Sequence, residues 1–132
     1  MHKLATAART AIAITALVGL SHAALAQDVE NGQDIFNAKC KACHRVGPGA
    51  TNTVGPVLNK VFGRKAGTAE AFAYSDAMKA AGGKGLTWTD ETIDKYLADP
   101  RGFVEGNKMA FVGLRDPADR KDIIAYLKKY AK

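Results

Sequence analysis

The pentapeptide Cys40-Lys41-Ala42-Cys43-His44 constrains this chain more than any other stretch. Two thiols three positions apart lie on one side of a helical turn. There each can add to a vinyl group of a haem and form a thioether. The histidine that follows then sits under the porphyrin plane, where its imidazole takes an axial position on the iron. The spacing is that of a c-type haem attachment site. Zinc is the weaker reading, because a structural zinc site needs about four Cys, His or carboxylate ligands. Beyond the first 26 residues the only cysteines and histidine are Cys40, Cys43 and His44. A thioredoxin-like Cys-x-x-Cys needs a strand–helix setting in a parallel sheet, and the patterning around Cys40 is helical. A chance match, the general risk for so short a motif, is disfavoured by the lack of any other cysteine and by suitable ligands downstream.

Residues 1–26 read as a cleaved secretory signal peptide. His2, Lys3 and Arg9 make a positive start without an acid, Ala11 to Leu20 is apolar, and Ala24-Leu25-Ala26 is the small-x-small pattern of a cleavage site. The apolar run is too short to span a bilayer, so cleavage after Ala26 is predicted rather than stable membrane insertion. Removing the first 26 of 132 residues leaves a domain of 106, residues 27–132, in the periplasm. An oxidising compartment permits disulfides, but a Cys40–Cys43 bridge would close a tiny loop, whereas haem attachment uses both thiols. Loss of Lys3 and Arg9 takes the basic residues from 19 to 17 against 13 acids, a net charge of +4. That balance suits encounters with acidic partner surfaces. Nucleic acid is not an expected partner, because the lysines are dispersed and no nucleic-acid motif is present. So small a core also predicts that the chain is poorly folded without its cofactor.

The helical signals lie at the two ends. A helix is predicted from Asp28 into Cys40, capped by Asp28 and with Glu30 in its first turn. Gly32, Ile35, Phe36, Lys39 and Cys40 form one face of it. A helix-interior glycine is unfavourable by about 1 kcal/mol against alanine, so Gly32 predicts the close crossing of another helix. Residues 47–55 and 63–67 read as loops, 69–81 as one or two short turns, and Gly82, Gly83 and Gly85 as a break. Thr89 caps a helix that Pro100 ends, residues 101–114 form an irregular strap, and Asp116 with Pro117 opens the last helix. That helix shows an apolar face of Ile123, Ile124, Tyr126, Leu127 and Tyr130. No alternating strand pattern occurs, so the expected fold is all-α, a few helices and long loops wrapped around one haem.

The second axial ligand must come from elsewhere. The predicted mature chain has no second histidine, which excludes a bis-histidine iron, and leaves Met78 and Met109. Methionine is most often core filler. The strap position favours Met109, since an irregular segment can bring a side chain to a haem face. A thioether favours ferrous iron and raises the potential.

Together these segments resemble the class I cytochromes c, in particular the bacterial periplasmic carriers that are similar to mitochondrial cytochrome c. The resemblance runs from Val29 to Lys129. It rests on Gly32-x-x-x-Phe36, Cys40 to His44, Val54-Gly55-Pro56, Phe62-Gly63-Arg64-Lys65, Tyr74, Leu86-Thr87-Trp88, Tyr96-Leu97, Asn107-Lys108-Met109 with Phe111 and Gly113, and Ile124-Ala125-Tyr126-Leu127. It implies one covalent haem c on Cys40 and Cys43, with His44 and Met109 as the axial pair. It also implies that the Pro56 carbonyl orients His44, that Arg64, Tyr74 and Trp88 meet the haem propionates, and that Tyr96 lies near the methionine sulfur. Gly32 and Phe36 would cross Tyr126 and Leu127. Lys39, Lys41, Arg101 and Lys108 would form the docking surface. The departures from the family pattern are Met78 in place of an asparagine, Glu105 in place of a proline and Asn107 in place of a threonine, the last two predicting a looser strap.

The function implied is that of a monomeric, non-enzymatic periplasmic electron carrier. It would run between a quinol–cytochrome c oxidoreductase or a dehydrogenase and a terminal oxidase or photosynthetic reaction centre. Its rivals are a haem peroxidase or gas sensor with a labile sixth ligand, and a module dedicated to one enzyme complex.

Overall fold

The computed structural model describes residues 26–132, so the leader assigned to residues 1–26 lies, but for Ala26, outside the described residues. Five helices follow in order, α1 (Val29–Ile35), α2 (Asp76–Gly83), α3 (Asp90–Ala98), α4 (Pro100–Phe103) and α5 (Pro117–Lys128). Among the described residues there is no strand, only an isolated antiparallel bridge between Lys65 and Thr87. The all-α expectation holds.

Helix α1 starts as its capping pattern predicts, with the Asp28 carboxylate accepting from the N–H groups of Glu30 and Asn31. It does not run unbroken to Cys40. Phe36–Cys40 is a wider π-helical turn, closed by the Lys41 N–H on the Phe36 carbonyl at 2.8 Å. The extra residue in that turn keeps Phe36 buried and Cys40 half-buried while Lys39 faces solvent. Lys39 therefore does not share the buried face that the spacing suggests.

The crossing predicted from Gly32 is present. A Cβ on Gly32 would lie 2.6 Å from the Asp122 carbonyl carbon and 2.9 Å from Tyr126 Cβ, so α1 and α5 meet where the side chain is missing. Phe36 stacks on Tyr126 with ring centroids 5.5 Å apart. Asp122, buried in α5, accepts from the Asp28 N–H and from Asn31 Nδ2, both at 2.8 Å. A buried carboxylate needs such partners, and here they are the N-terminal groups of a helix, where negative charge is favoured.

Two boundaries differ from expectation. The helix in the 69–81 region is α2, capped by Ser75, and it runs through Gly82 and Gly83 instead of breaking there. The bare Gly82 backbone packs on Ala66, whose carbonyl carbon would lie 3.0 Å from a Cβ and whose oxygen would lie closer still. Helix α3 ends at Ala98, and Pro100 opens α4, with Asp99 accepting from the Gly102 N–H. The start of the strap is thus a helical turn, because Asp99 caps it and proline suits its first position.

The core has two parts. Val61, Ala66, Met78, Trp88, Ile93, Val104 and Ile124 make one, and Ile35, Phe36, Leu114, Ile123, Tyr126 and Leu127 make the other. Leu58 and Leu97 pack against both.

Candidate functional site

Cys40, Cys43, His44, Pro56, Arg64, Tyr74, Trp88, Tyr96 and Met109 all line a single cavity of about 310 Å³. Apolar side chains from both core clusters and from the bridging Leu58 and Leu97 complete its walls. Far apart in sequence, the nine residues are gathered by loops whose backbone bonds are specific.

The first loop turns back behind His44. The Gly55 N–H and the Thr53 hydroxyl both donate to the Cys43 carbonyl, at 2.7 and 2.6 Å. This places the Pro56 carbonyl 2.8 Å from His44 Nδ1. A carbonyl can only accept, so Nδ1 carries the proton and Nε2 keeps a bare lone pair. Burial lowers the His44 pKa, the Pro56 bond opposes this, and the Arg64 charge lowers it further. The ring is therefore neutral at pH 7. Gly55, to which the sequence assigns no role of its own, proves necessary. A Cβ there would lie 2.7 Å from His44 Nδ1.

Burial pushes the Cys40 thiol up to about 11, against the opposing pull of Lys39, while Cys43 adds a smaller upward push. Thiol–disulfide exchange needs a thiolate, so this thiol is poorly suited to redox cycling.

A short pairing of two segments sets the polar wall. The Trp88 N–H donates to the Arg64 carbonyl at 2.9 Å, the Gly63 N–H to the Trp88 carbonyl at 2.7 Å, and the Ala66 N–H to Leu86 at 2.9 Å. Arg64 and Trp88 thereby become neighbours on the cavity. The Arg64 Nη groups donate to the carbonyls of Val57 and Asn59, but its Nε is buried without a partner. Tyr74 accepts from the Ala69 N–H at 3.2 Å, and its ring meets Phe72 edge-on.

The strap brings in the sulfur. The Tyr96 hydroxyl lies 3.9 Å from Met109 Sδ and 3.5 Å from Asn107 Oδ1. Burial raises the Tyr96 pKa to about 12, with a further push from Tyr74, so the phenol remains a donor. Asn107 donates through Nδ2 to the Pro100 and Val104 carbonyls and accepts the Met109 N–H. The strap is thus tied down, not loosened, by this substitution. Met78 also borders the cavity, but from within the core, where it is 7% exposed.

Of the four basic residues assigned to docking, Lys39 and Lys108 line the mouth of the cavity, whereas Lys41 and Arg101 are exposed without bordering it.

These features fit a haem. The walls are apolar, a bare imidazole nitrogen and a thioether reach the cavity, and the orphaned Arg64 Nε–H lacks the acceptor that a carboxylate would supply. The family model for cytochrome c matches residues 29–131. The chain belongs to the cytochrome c family. Cytochrome c2 of Rhodomicrobium vannielii is 50% identical over 121 residues, which is 92% of this chain and 94% of that protein. Cytochrome c2 of Blastochloris viridis is 49% identical over 107 residues, 81% of each chain. The solved structure of cytochrome c2 from Rhodospirillum centenum superposes with a TM-score of 0.75 at 44% identity, covering 80% of this chain and 99% of its own. As a cytochrome c, the protein carries haem c covalently, through Cys40 and Cys43. Among the described residues no helix is long and apolar enough to cross a membrane.

Proposed function

We propose that the protein is a periplasmic one-electron carrier whose haem iron is held by His44 Nε2 and Met109 Sδ. The observation that carries this reading is the pairing, in one cavity beside the attachment cysteines, of an imidazole with a bare Nε2 and a thioether held by its strap. Bound there, the haem supplies a reversible Fe(III)/Fe(II) couple. The chain's own residues keep that couple simple. Burial keeps the imidazole neutral and the Pro56 carbonyl orients it. Met109 would supply the iron's second protein ligand, so that no ligand position would be left for oxygen or peroxide. Arg64, Tyr74 and Trp88 would meet the haem carboxylates, with the Arg64 Nε–H free to pair with one.

Residues 1–26 act as the export signal, cut after Ala26, and residues 27–132 form the carrier, a monomer in the periplasm. Partners with acidic surfaces dock at the cavity mouth through Lys39 and Lys108, flanked by Lys41 and Arg101. The donor is a quinol–cytochrome c oxidoreductase or a dehydrogenase. The acceptor is a terminal oxidase or a photosynthetic reaction centre, in line with relatives named cytochrome c2. The test is stopped-flow electron exchange between the holoprotein and an acidic redox protein, with ionic strength varied. The reading predicts rapid single-electron exchange that slows as salt shortens the screening length below about 10 Å, and no turnover of hydrogen peroxide. Salt-independent exchange together with peroxide turnover would overturn it.

A further inference from the structure

We infer that Asn107 is the positioning residue that seats the Met109 thioether in the cavity. The inference rests on the axial role proposed for Met109, and its support is the hydrogen-bond inventory of one side chain. An asparagine amide offers two N–H donors and two acceptor sites. Nδ2 donates to the Pro100 carbonyl at 2.7 Å and to the Val104 carbonyl at 2.8 Å. Oδ1 accepts the Met109 N–H at 2.8 Å and has the Tyr96 hydroxyl within 3.5 Å. Every capacity of the amide is thus aimed at holding residue 109 against α4 on one side and α3 on the other.

The anchor is rigid, and besides the amide the segment is held by the Asn107 N–H on the Val104 carbonyl at 3.1 Å, by the Tyr96 hydroxyl at the sulfur and by the packing of Phe111. Pro100 is among the most fully buried side chains of the fold, and Val104 belongs to the core. Gly106, at φ +86°, makes the turn that presents Asn107 to both carbonyls. Beyond Met109 the next backbone bond back to a helix is the Leu114 N–H on the Leu97 carbonyl, at 2.8 Å. Among the described residues, the bond from the Met109 N–H to Asn107 is the only hydrogen bond made by a backbone N–H between residues 108 and 113. Val112, within that span, is 90% exposed. Without the amide, the Met109 N–H would lose its hydrogen bond and the strap its two side-chain ties to α4. The residue type matters too. A threonine has a single donor and cannot bridge both carbonyls, an aspartate has no donor, and a glutamine moves the amide outward by a methylene.

The experiment uses holoprotein and two readouts, the rate at which carbon monoxide binds the ferrous form and the pH at which the far-red absorption of thioether-bound ferric iron disappears. N107A loses three side-chain hydrogen bonds, each worth a factor of a few to about ten. It is expected to bind carbon monoxide on the order of a hundredfold faster than wild type and to lose the far-red absorption at lower pH. N107T keeps one donor and one acceptor but cannot bridge both carbonyls, so it should fall between, and it decides by the same criterion should N107A not accumulate as holoprotein. E105A, an exposed strap variant, should match wild type. In a Met109→Ala background, adding N107A should change nothing further, because the amide acts through the sulfur. N107A within about twofold of wild type on both readouts, or an undiminished effect in the Met109→Ala background, would overturn the inference. Wild-type protein that itself binds carbon monoxide readily would instead overturn the axial role of Met109, so the two failures are distinguishable.

Discussion

Replacing Gly32 by alanine tests the helix crossing on which the frame of the cavity depends. Considered locally, the change should help, because alanine is favoured over glycine in a helix by about 1 kcal/mol. The structure reverses the sign. The added methyl would sit 2.6 Å from the Asp122 carbonyl carbon and 2.9 Å from Tyr126 Cβ, and both belong to the body of α5 rather than to a flexible side-chain end. Relief requires α1 and α5 to part by about 1 Å, since unstrained carbon contacts begin near 3.5 Å. That displacement stretches the 2.8 Å bonds from the Asp28 N–H and from Asn31 Nδ2 to Asp122 beyond hydrogen-bonding range. Bonds to a charged group contribute about 1.5–3 kcal/mol each, and overpacking costs about 1–3 kcal/mol. Even if much of the strain relaxes, the net loss after the propensity gain is about 3 kcal/mol, a fall in Tm of about 12 °C or more for a domain of this size. Guanidinium unfolding of the holoprotein, followed by far-UV circular dichroism, should show a lower midpoint at unchanged slope. Gly83→Ala is the control. It lies in α2 with nothing within 4 Å of the place its Cβ would take, and should be neutral or stabilising by up to about 1 kcal/mol. A Gly32→Ala variant within about 0.5 kcal/mol of wild type would refute the reasoning.

Three further outcomes are expected. Gly55→Ala should displace the His44 ring from the Pro56 carbonyl and destabilise the holoprotein by about 2 kcal/mol; an unchanged denaturation midpoint would contradict so close a fit. Burial and the neighbouring Tyr130 push the Tyr126 phenol up to about 12. The fold therefore favours the neutral phenol. That stability is whole below about pH 10, the unfolded value, and is lost as pH rises towards 12. Tyr126→Phe should escape this loss, so equal alkaline slopes of denaturation midpoint in the two proteins would rule it out. In the double variant Cys40→Ala, Cys43→Ala, the cofactor loses its covalent tether and the apolar walls of a cavity of about 310 Å³ are left to face water. For so small a core, near-UV circular dichroism should be lost, and a native-like spectrum would show that the core needs no cofactor.

What the sequence makes legible is local chemistry. Asp28, Thr89, Asp116 and Pro117 mark helix starts by the groups they offer within one turn, and the structure has helices beginning at each. Gly32 is informative because a glycine inside a helix needs a reason, and the crossing supplies it. Gly82 needs the same argument yet reads as a break, because its partner, the Ala66 carbonyl, is sixteen residues away and leaves no periodic trace. Asp122 shows a similar limit. On an apolar helix face a carboxylate looks like a solvated charge until the N-terminus of α1 is seen to meet it. Asn107 looks like a loosening of the strap because only the folded chain brings the Pro100 and Val104 carbonyls under its amide. Among the residues that border the cavity, Cys40, Cys43, His44 and Met109 are legible from their own types and positions, Pro56, Arg64, Tyr74, Trp88 and Tyr96 only through the family resemblance, and the role of Gly55 not at all.

The central claim, that His44 and Met109 close the iron, is tested most directly by X-ray absorption at the iron edge of the ferric holoprotein, comparing wild type with Met109→Ala and Met78→Ala. The geometry predicts a single sulfur among the iron's ligands in wild type, its loss in Met109→Ala and its retention in Met78→Ala. A sulfur that survives in Met109→Ala and disappears in Met78→Ala, or none in wild type, would contradict it.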